Sequence, residues 1–131
     1  MRKMFAAAIA LASVAALPAS AQVLYQWPAS STSISYVGNC PIRVTGGYAQ
    51  MVGEPTARVI VQMMNQDTAR AREVRMQVSY VSQNGTARRE GNFGPFRVAS
   101  NNVAEVRTLS LPPGMPTGST LTIRVTSCTQ A

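Results

Sequence analysis

Apolar and polar residues alternate with a period of two along most of this chain, a rhythm that restricts it to β-strands with one buried face. Cys40, Ile42 and Val44 alternate with Pro41, Arg43 and Thr45. Val59, Val61 and Met63 alternate with Arg58 and Gln62, while Ile60 and Met64 make this run apolar on both faces, the mark of a central strand. Val74, Met76, Val78 and Tyr80 oppose Glu73, Arg75, Gln77 and Ser79, and Leu121, Ile123 and Val125 oppose Thr120, Thr122, Arg124 and Thr126. Each first-named set is expected to be buried. Turn residues punctuate the runs at Gly46-Gly47, Gly53-Glu54-Pro55, Asn84-Gly85, Gly91-Asn92, Asn101-Asn102 and from Pro112 through Gly118. Short alternating strands so interrupted predict an all-β fold, a single antiparallel β-sandwich of immunoglobulin-like architecture. Asn84-Gly85 is expected to join a strand ending near Ser82 to a short one starting near Thr86. Gln66 to Arg72 reads either as the one helix or as a long loop.

The start of the chain carries an address. Arg2 and Lys3 form a positive n-region, Phe5 to Leu17 an apolar run, and Ala19-Ser20-Ala21 a small-residue cleavage motif, so residues 1–21 are expected to be a signal peptide removed on export. That run falls short of the ~20 apolar residues of a spanning helix, and no later segment approaches them, so no transmembrane segment is expected. The expected layout is a signal peptide at 1–21, an N-terminal arm or edge strand at 22–37 and a β-sandwich domain at 38–131. The expected location is the periplasm or the exterior of a bacterial cell.

Cys40 and Cys128 are the two cysteines, and an exported chain meets an oxidising compartment in which two thiols pair. They stand 88 positions apart, so a disulfide between them would close nearly the whole domain into one loop. Parity raises a difficulty: Cys40 shares the inward set of Ile42 and Val44, but Cys128 is out of phase with Leu121, Ile123 and Val125. Either a bulge near Thr126 and Ser127 re-aims the chain, or the bond lies at the end of the sheet.

Composition excludes much chemistry. The chain has no histidine, which removes the usual general base, the catalytic triad and most transition-metal sites. Its one lysine, Lys3, belongs to the leader, so Schiff-base chemistry is not expected either. Two cysteines are too few and too far apart for a redox motif or a zinc site. Met51, Met63, Met64 and Met76 read as core filling rather than copper ligands. The acids Glu54, Asp67, Glu73, Glu90 and Glu105 are scattered one to a segment, so a small carboxylate hydrolase is a minor reading. No enzyme, metal or cofactor is expected.

Arginine is what remains in excess: beyond the leader, ten arginines against five acids leave a charge of +5. Arg70, Arg72 and Arg75 surround the helix-or-loop segment, and Arg88, Arg89 and Arg97 follow the Asn84-Gly85 turn. These six are candidate binders of an anionic partner, because guanidinium pairs bidentately with phosphate and carboxylate. In an exported protein that partner is an acidic polysaccharide, a lipid head group or an acidic surface protein rather than nucleic acid. The arm offers a second candidate. Val23, Tyr25 and Trp27 alternate up to Pro28, and Ile34 and Tyr36 resume after Ser30 to Ser33, so the arm is either the first edge strand of the same sheet or a strand that pairs with a neighbouring molecule. Export, β-pattern, an N-terminal extension and one disulfide resemble chaperone-assembled pilins in outline; the cysteine spacing and the Ser127–Ala131 ending depart from them, and no family is assigned. The functional expectation is a non-enzymatic exported protein acting through binding or envelope assembly, self-association included. The alternative is a monomeric binding module or inhibitor that recognises an anionic ligand through arginine-bearing loops.

Overall fold

A computed structural model describes residues 21–52, 56–112 and 119–131. Residues 1–20 of the expected leader, the turn at 53–55 and positions 113–118 of the proline-rich loop lie outside the described residues. Among the described residues eight strands follow in order: β1 (Ala21–Pro28), β2 (Ser33–Ser35), β3 (Ile42–Val52), β4 (Ala57–Asn65), β5 (Arg72–Val81), β6 (Arg88–Val98), β7 (Val103–Leu111) and β8 (Thr120–Gln130). A single 3₁₀ turn, Ala29–Ser31, links the first two. The strands form two four-stranded sheets, β1-β3-β4-β7 (sheet I) and β2-β8-β5-β6 (sheet II).

The alternating runs fold as their period requires. Val74, Met76, Val78 and Tyr80 are fully buried, as are Leu121 and Ile123 beside them on β8. This inner face of sheet II shares one core with Ile42, Val44, Val59, Val61 and Met63 of sheet I. Burying a large apolar side chain contributes roughly 1.5–3 kcal/mol, so this shared core holds the sheets together. β4 lies between β3 and β7, as its two apolar faces imply, and its outward Ile60 is buried too, flanked across the ladder by Tyr48 and Arg107.

Several expectations need correcting. The sandwich is not wholly antiparallel, because β2 pairs parallel to β8 from Ser33↔Thr122 to Ser35↔Arg124. Parallel neighbours need a long crossover, and the chain between them supplies one. Within sheet I the successive long strands β3 and β4 pair directly. Of the two readings of Gln66 to Arg72 the loop is the one found: Gln66 to Ala71 is loop, and Arg72 already opens β5. Asp67 explains why: its Oδ1 accepts the backbone N–H groups of Ala69 (2.9 Å) and Arg70 (3.1 Å), giving them a side-chain partner in place of helical carbonyls. The strand after Asn84-Gly85 starts at Arg88 and is eleven residues long, not short. Gly85 does turn the chain, at φ +76.

Bulges resolve the cysteine parity. Arg75 opposes Ser127 but Met76 opposes Val125, so Thr126 is an extra residue in β8. Val125 therefore faces inward, and the chain beyond it is re-phased to bring Cys128 onto Cys40 in a disulfide with a Cα separation of 5.7 Å. On the other side of β5 a second bulge falls between Val74↔Phe96 and Met76↔Phe93, at Gly94-Pro95. Gly94 has φ +114, and a Cβ there would stand 2.6 Å from the Val74 carbonyl oxygen. Gly94→Ala is therefore expected to destabilise the fold by about 2–4 kcal/mol, combining backbone strain with a backbone clash. Gly85→Ala, also at positive φ but facing open space, should cost about 1 kcal/mol; equal thermal shifts for the two would contradict the close approach.

Candidate functional site

The outer face of sheet II is built by the residues that alternate with its core. β5 presents Glu73, Arg75, Gln77 and Ser79; across the ladders Arg97 stands opposite Glu73, Ser127 opposite Arg75, and Arg124 and Asn92 opposite Gln77. Arg97 on β6, Arg75 on β5 and Arg124 on β8 are thus diagonal neighbours, spaced by roughly 7–8 Å at the backbone. All three are exposed.

Their surroundings differ in a useful way. Arg124 Nη2 donates to Gln77 Oε1, and Gln77 Nε2 donates to Glu90 Oε2, a chain of side chains crossing three strands. It fixes Arg124 while leaving most of its five N–H donors free. Arg75 and Arg97 have no side-chain partner among the described residues. Arg75 stands between the two bulges, beside a depression of about 260 Å³ whose lining includes Asn92, Gly94 and Thr126. A guanidinium with an amide and a hydroxyl nearby is a donor set suited to an oxyanion.

The six arginines named from sequence do not form one site, and the expected loop location is corrected: only Arg70 lies in a loop, while Arg72 and Arg75 are on β5 and Arg88, Arg89 and Arg97 on β6. The rich charge after the turn belongs to a long edge strand whose alternation is broken by Gly91 and Gly94-Pro95. Arg72 is engaged, donating from Nε and Nη2 to Asp67 Oδ2 at 3.0 and 2.8 Å. The backbone N–H of Ala69, then Arg72, hold the Asp67 carboxyl below its ordinary pKa. Arg70 Nη1 donates to Gln130 Oε1. Arg88 and Arg97 are nine positions apart on one strand, about 30 Å. Arg124 was not singled out from the sequence, although its place among the outward residues of the last alternating run was the signal for it.

The arm is seated on its own sandwich. β1 pairs with β3, and a bulge at Leu24 turns Val23 outward, 39 % exposed, instead of leaving it in phase with Tyr25 and Trp27. Trp27 is 2 % exposed, lies edge-on to Tyr25 and Tyr80, and donates its indole N–H to the Ser119 carbonyl at 3.2 Å. Ile34 packs against the core, and the Tyr36 hydroxyl accepts the Val44 N–H at 2.8 Å.

The described acids lie apart. Glu73 and Glu90 share the outer face of sheet II, but Glu90 pairs opposite Ser79, six positions along β5 from Glu73, about 20 Å. Glycosidase carboxylates stand within about 5–9.5 Å. Asp67 is in the loop before β5, and Glu105 is on sheet I. Among the described residues no three His, Cys, Asp or Glu side chains group as a metal site, and no helix is long and apolar enough to cross a membrane.

Fold and face together define a disulfide-closed, two-sheet β protein with an arginine-bearing outer surface. Comparison with protein families, with curated proteins and with solved structures found no match in any of the three.

Proposed function

We propose that this chain is exported to the periplasm or beyond after losing residues 1–21, and acts there as a non-enzymatic binding protein. It has the two-sheet architecture of the immunoglobulin kind with its own strand order, and its working surface is the outer face of sheet II. The observation that carries this reading is the diagonal Arg97–Arg75–Arg124, one guanidinium per strand and two of them without a side-chain partner among the described residues, on a face that also holds Glu73 opposite Arg97 and Glu90 linked to Arg124 through Gln77. A polymer or membrane surface bearing repeated negative groups could meet the three at once. The disulfide supports the location, since such bonds persist in oxidising compartments.

Retention on an immobilised sulfated polysaccharide, eluted with salt, tests the reading. The triple variant Arg75→Ala, Arg97→Ala and Arg124→Ala is expected to bind on the order of 10-fold or more weakly, and the wild-type interaction to fade as salt screens it. Arg88→Ala with Arg89→Ala removes as much charge per residue from the far end of the sheet and should change retention much less. Equal losses in the two variants would leave only a non-specific charge effect.

Assembly is a second reading, favoured by the position of β1 at the edge of sheet I. Among the described residues no strand pairs with its outward edge, the kind of edge to which a strand can be added. Concentration-dependent oligomers in gel filtration would favour assembly; a strict monomer retained by the polyanion favours the arginine face.

A further inference from the structure

We propose that sheet I carries a separate site on the opposite face of the sandwich, for a neutral, hydroxyl-rich ring the size of a monosaccharide, gripped by Glu105. The site originates in a bulge. Val44 opposes Met63 but Gly46 opposes Gln62, so Thr45 is an extra residue in β3, and Gly46, at φ +149, follows it. A Cβ on Gly46 would stand 3.0 Å from the Trp27 carbonyl oxygen and 3.7 Å from Gln62 Oε1. Gly46 also lines a depression of about 310 Å³, whose rim includes Gln26, Pro28, Thr45, Tyr48, Gln62 and Glu105. That is the lower end of the range for small-molecule sites, enough for one ring.

The carboxylate is aimed, not free to wander. Glu105 Oε1 accepts the Tyr48 hydroxyl at 2.8 Å and Oε2 accepts Gln62 Nε2 at 2.9 Å, so three adjacent strands fix it. Burial and this carboxylate push the Tyr48 phenol up to about 12, so it remains a donor to Glu105 across the neutral range. Each carboxylate oxygen keeps a second acceptor position, a pair of parallel acceptors that matches two adjacent ring hydroxyls. Thr45 and the amides of Gln26 and Gln62 both donate and accept, as sugar hydroxyls do.

Charge gives neither ion class a clear advantage at the rim. Glu105 repels an anion. A cation would find the one described acid of sheet I among Arg43, Arg58 and Arg107 of the same sheet, a net positive surround. A neutral polyhydroxyl ligand is indifferent to that field.

NMR titration of the disulfide-intact protein with glucose, galactose, mannose and N-acetylglucosamine, each taken to tens of millimolar, tests the proposal. The expected result is saturable shifts at Gln26, Tyr48, Gln62 and Glu105 for at least one sugar, with affinity on the order of millimolar. Glu105→Gln keeps the side-chain shape and should weaken that binding about 10-fold at unchanged melting temperature; Gln26→Ala, on the edge strand, should weaken it several-fold. The triple arginine variant should bind the sugar as wild type does, so this site and the polyanion face succeed or fail separately. No saturable shift with any of the four sugars, shifts unchanged in Glu105→Gln, or equivalent shifts produced by guanidinium chloride would each overturn it.

Discussion

Replacing Cys40 and Cys128 together by alanine is expected to lower stability by about 4–5 kcal/mol, as estimated from the entropy of closing so long a loop in the unfolded chain. The bond spans 88 positions, from just before β3 in sheet I to β8 in sheet II. It therefore constrains both layers at once and closes the chain from β3 to β8 into one loop in the unfolded ensemble. Domains of this size have only about 5–15 kcal/mol in total, so the loss approaches the whole margin. At roughly 4 °C or more per kcal/mol, the double variant should melt at least about 15 °C below the oxidised protein. Reduction of the wild type should reproduce the shift, whereas melting within a few degrees would mean that the shared core holds the sheets unaided.

Trp27→Ala should be nearly as severe, at about 3–5 kcal/mol. The indole is 2 % exposed, meets Tyr25 and Tyr80 edge-on at centroid distances of 5.0 and 6.4 Å, and satisfies the Ser119 carbonyl. Alanine removes all of these and leaves a cavity where β1 joins the core. Trp27→Phe keeps a ring but loses the indole N–H that donates to the Ser119 carbonyl, so about 1–2 kcal/mol is expected. Hydrogen exchange along β1 should accelerate in the alanine variant in step with the global loss. A cost below 1 kcal/mol, with exchange confined to β1, would show an arm free to leave its own sheet, and would shift the weight to strand-mediated assembly.

Legibility of the fold followed the regularity of the local pattern. β5 could be read residue by residue because Val74, Met76, Val78 and Tyr80 keep strict alternation between turns, and all four are buried. The Thr126 bulge was one of two readings for an unusual reason: a disulfide between two residues of opposite phase requires either a bulge or a bond at the end of the sheet, and the register takes the first. β6 was hidden because an edge strand with Gly91, Gly94 and Pro95 shows neither periodicity nor a continuous apolar face. Sheet order was beyond a periodicity argument, since alternation says which face is buried but not which strand is the neighbour.

The candidate sites were less accessible for the same reason. Arg75 and Arg97 stood out as charges, but their diagonal with Arg124 depends on the registers Glu73↔Arg97 and Gln77↔Arg124, set by pairings between distant segments. Glu105, Tyr48 and Gln62 come from three strands, and nothing in their spacing announces a cluster. The pattern of Gln66 to Arg72 fits a helix or a loop equally, and the choice is made by the Asp67 carboxylate, which accepts the backbone N–H groups of Ala69 and Arg70.

Residue-resolved NMR titration of the oxidised protein with a short sulfated oligosaccharide at physiological salt distinguishes the arginine diagonal from diffuse charge. Saturable shifts are expected at Arg75, Arg97 and Arg124 and at Asn92 and Thr126 between them, with sheet I unaffected. Shifts centred on Arg88 and Arg89, or spread evenly over all exposed arginines, would contradict the diagonal.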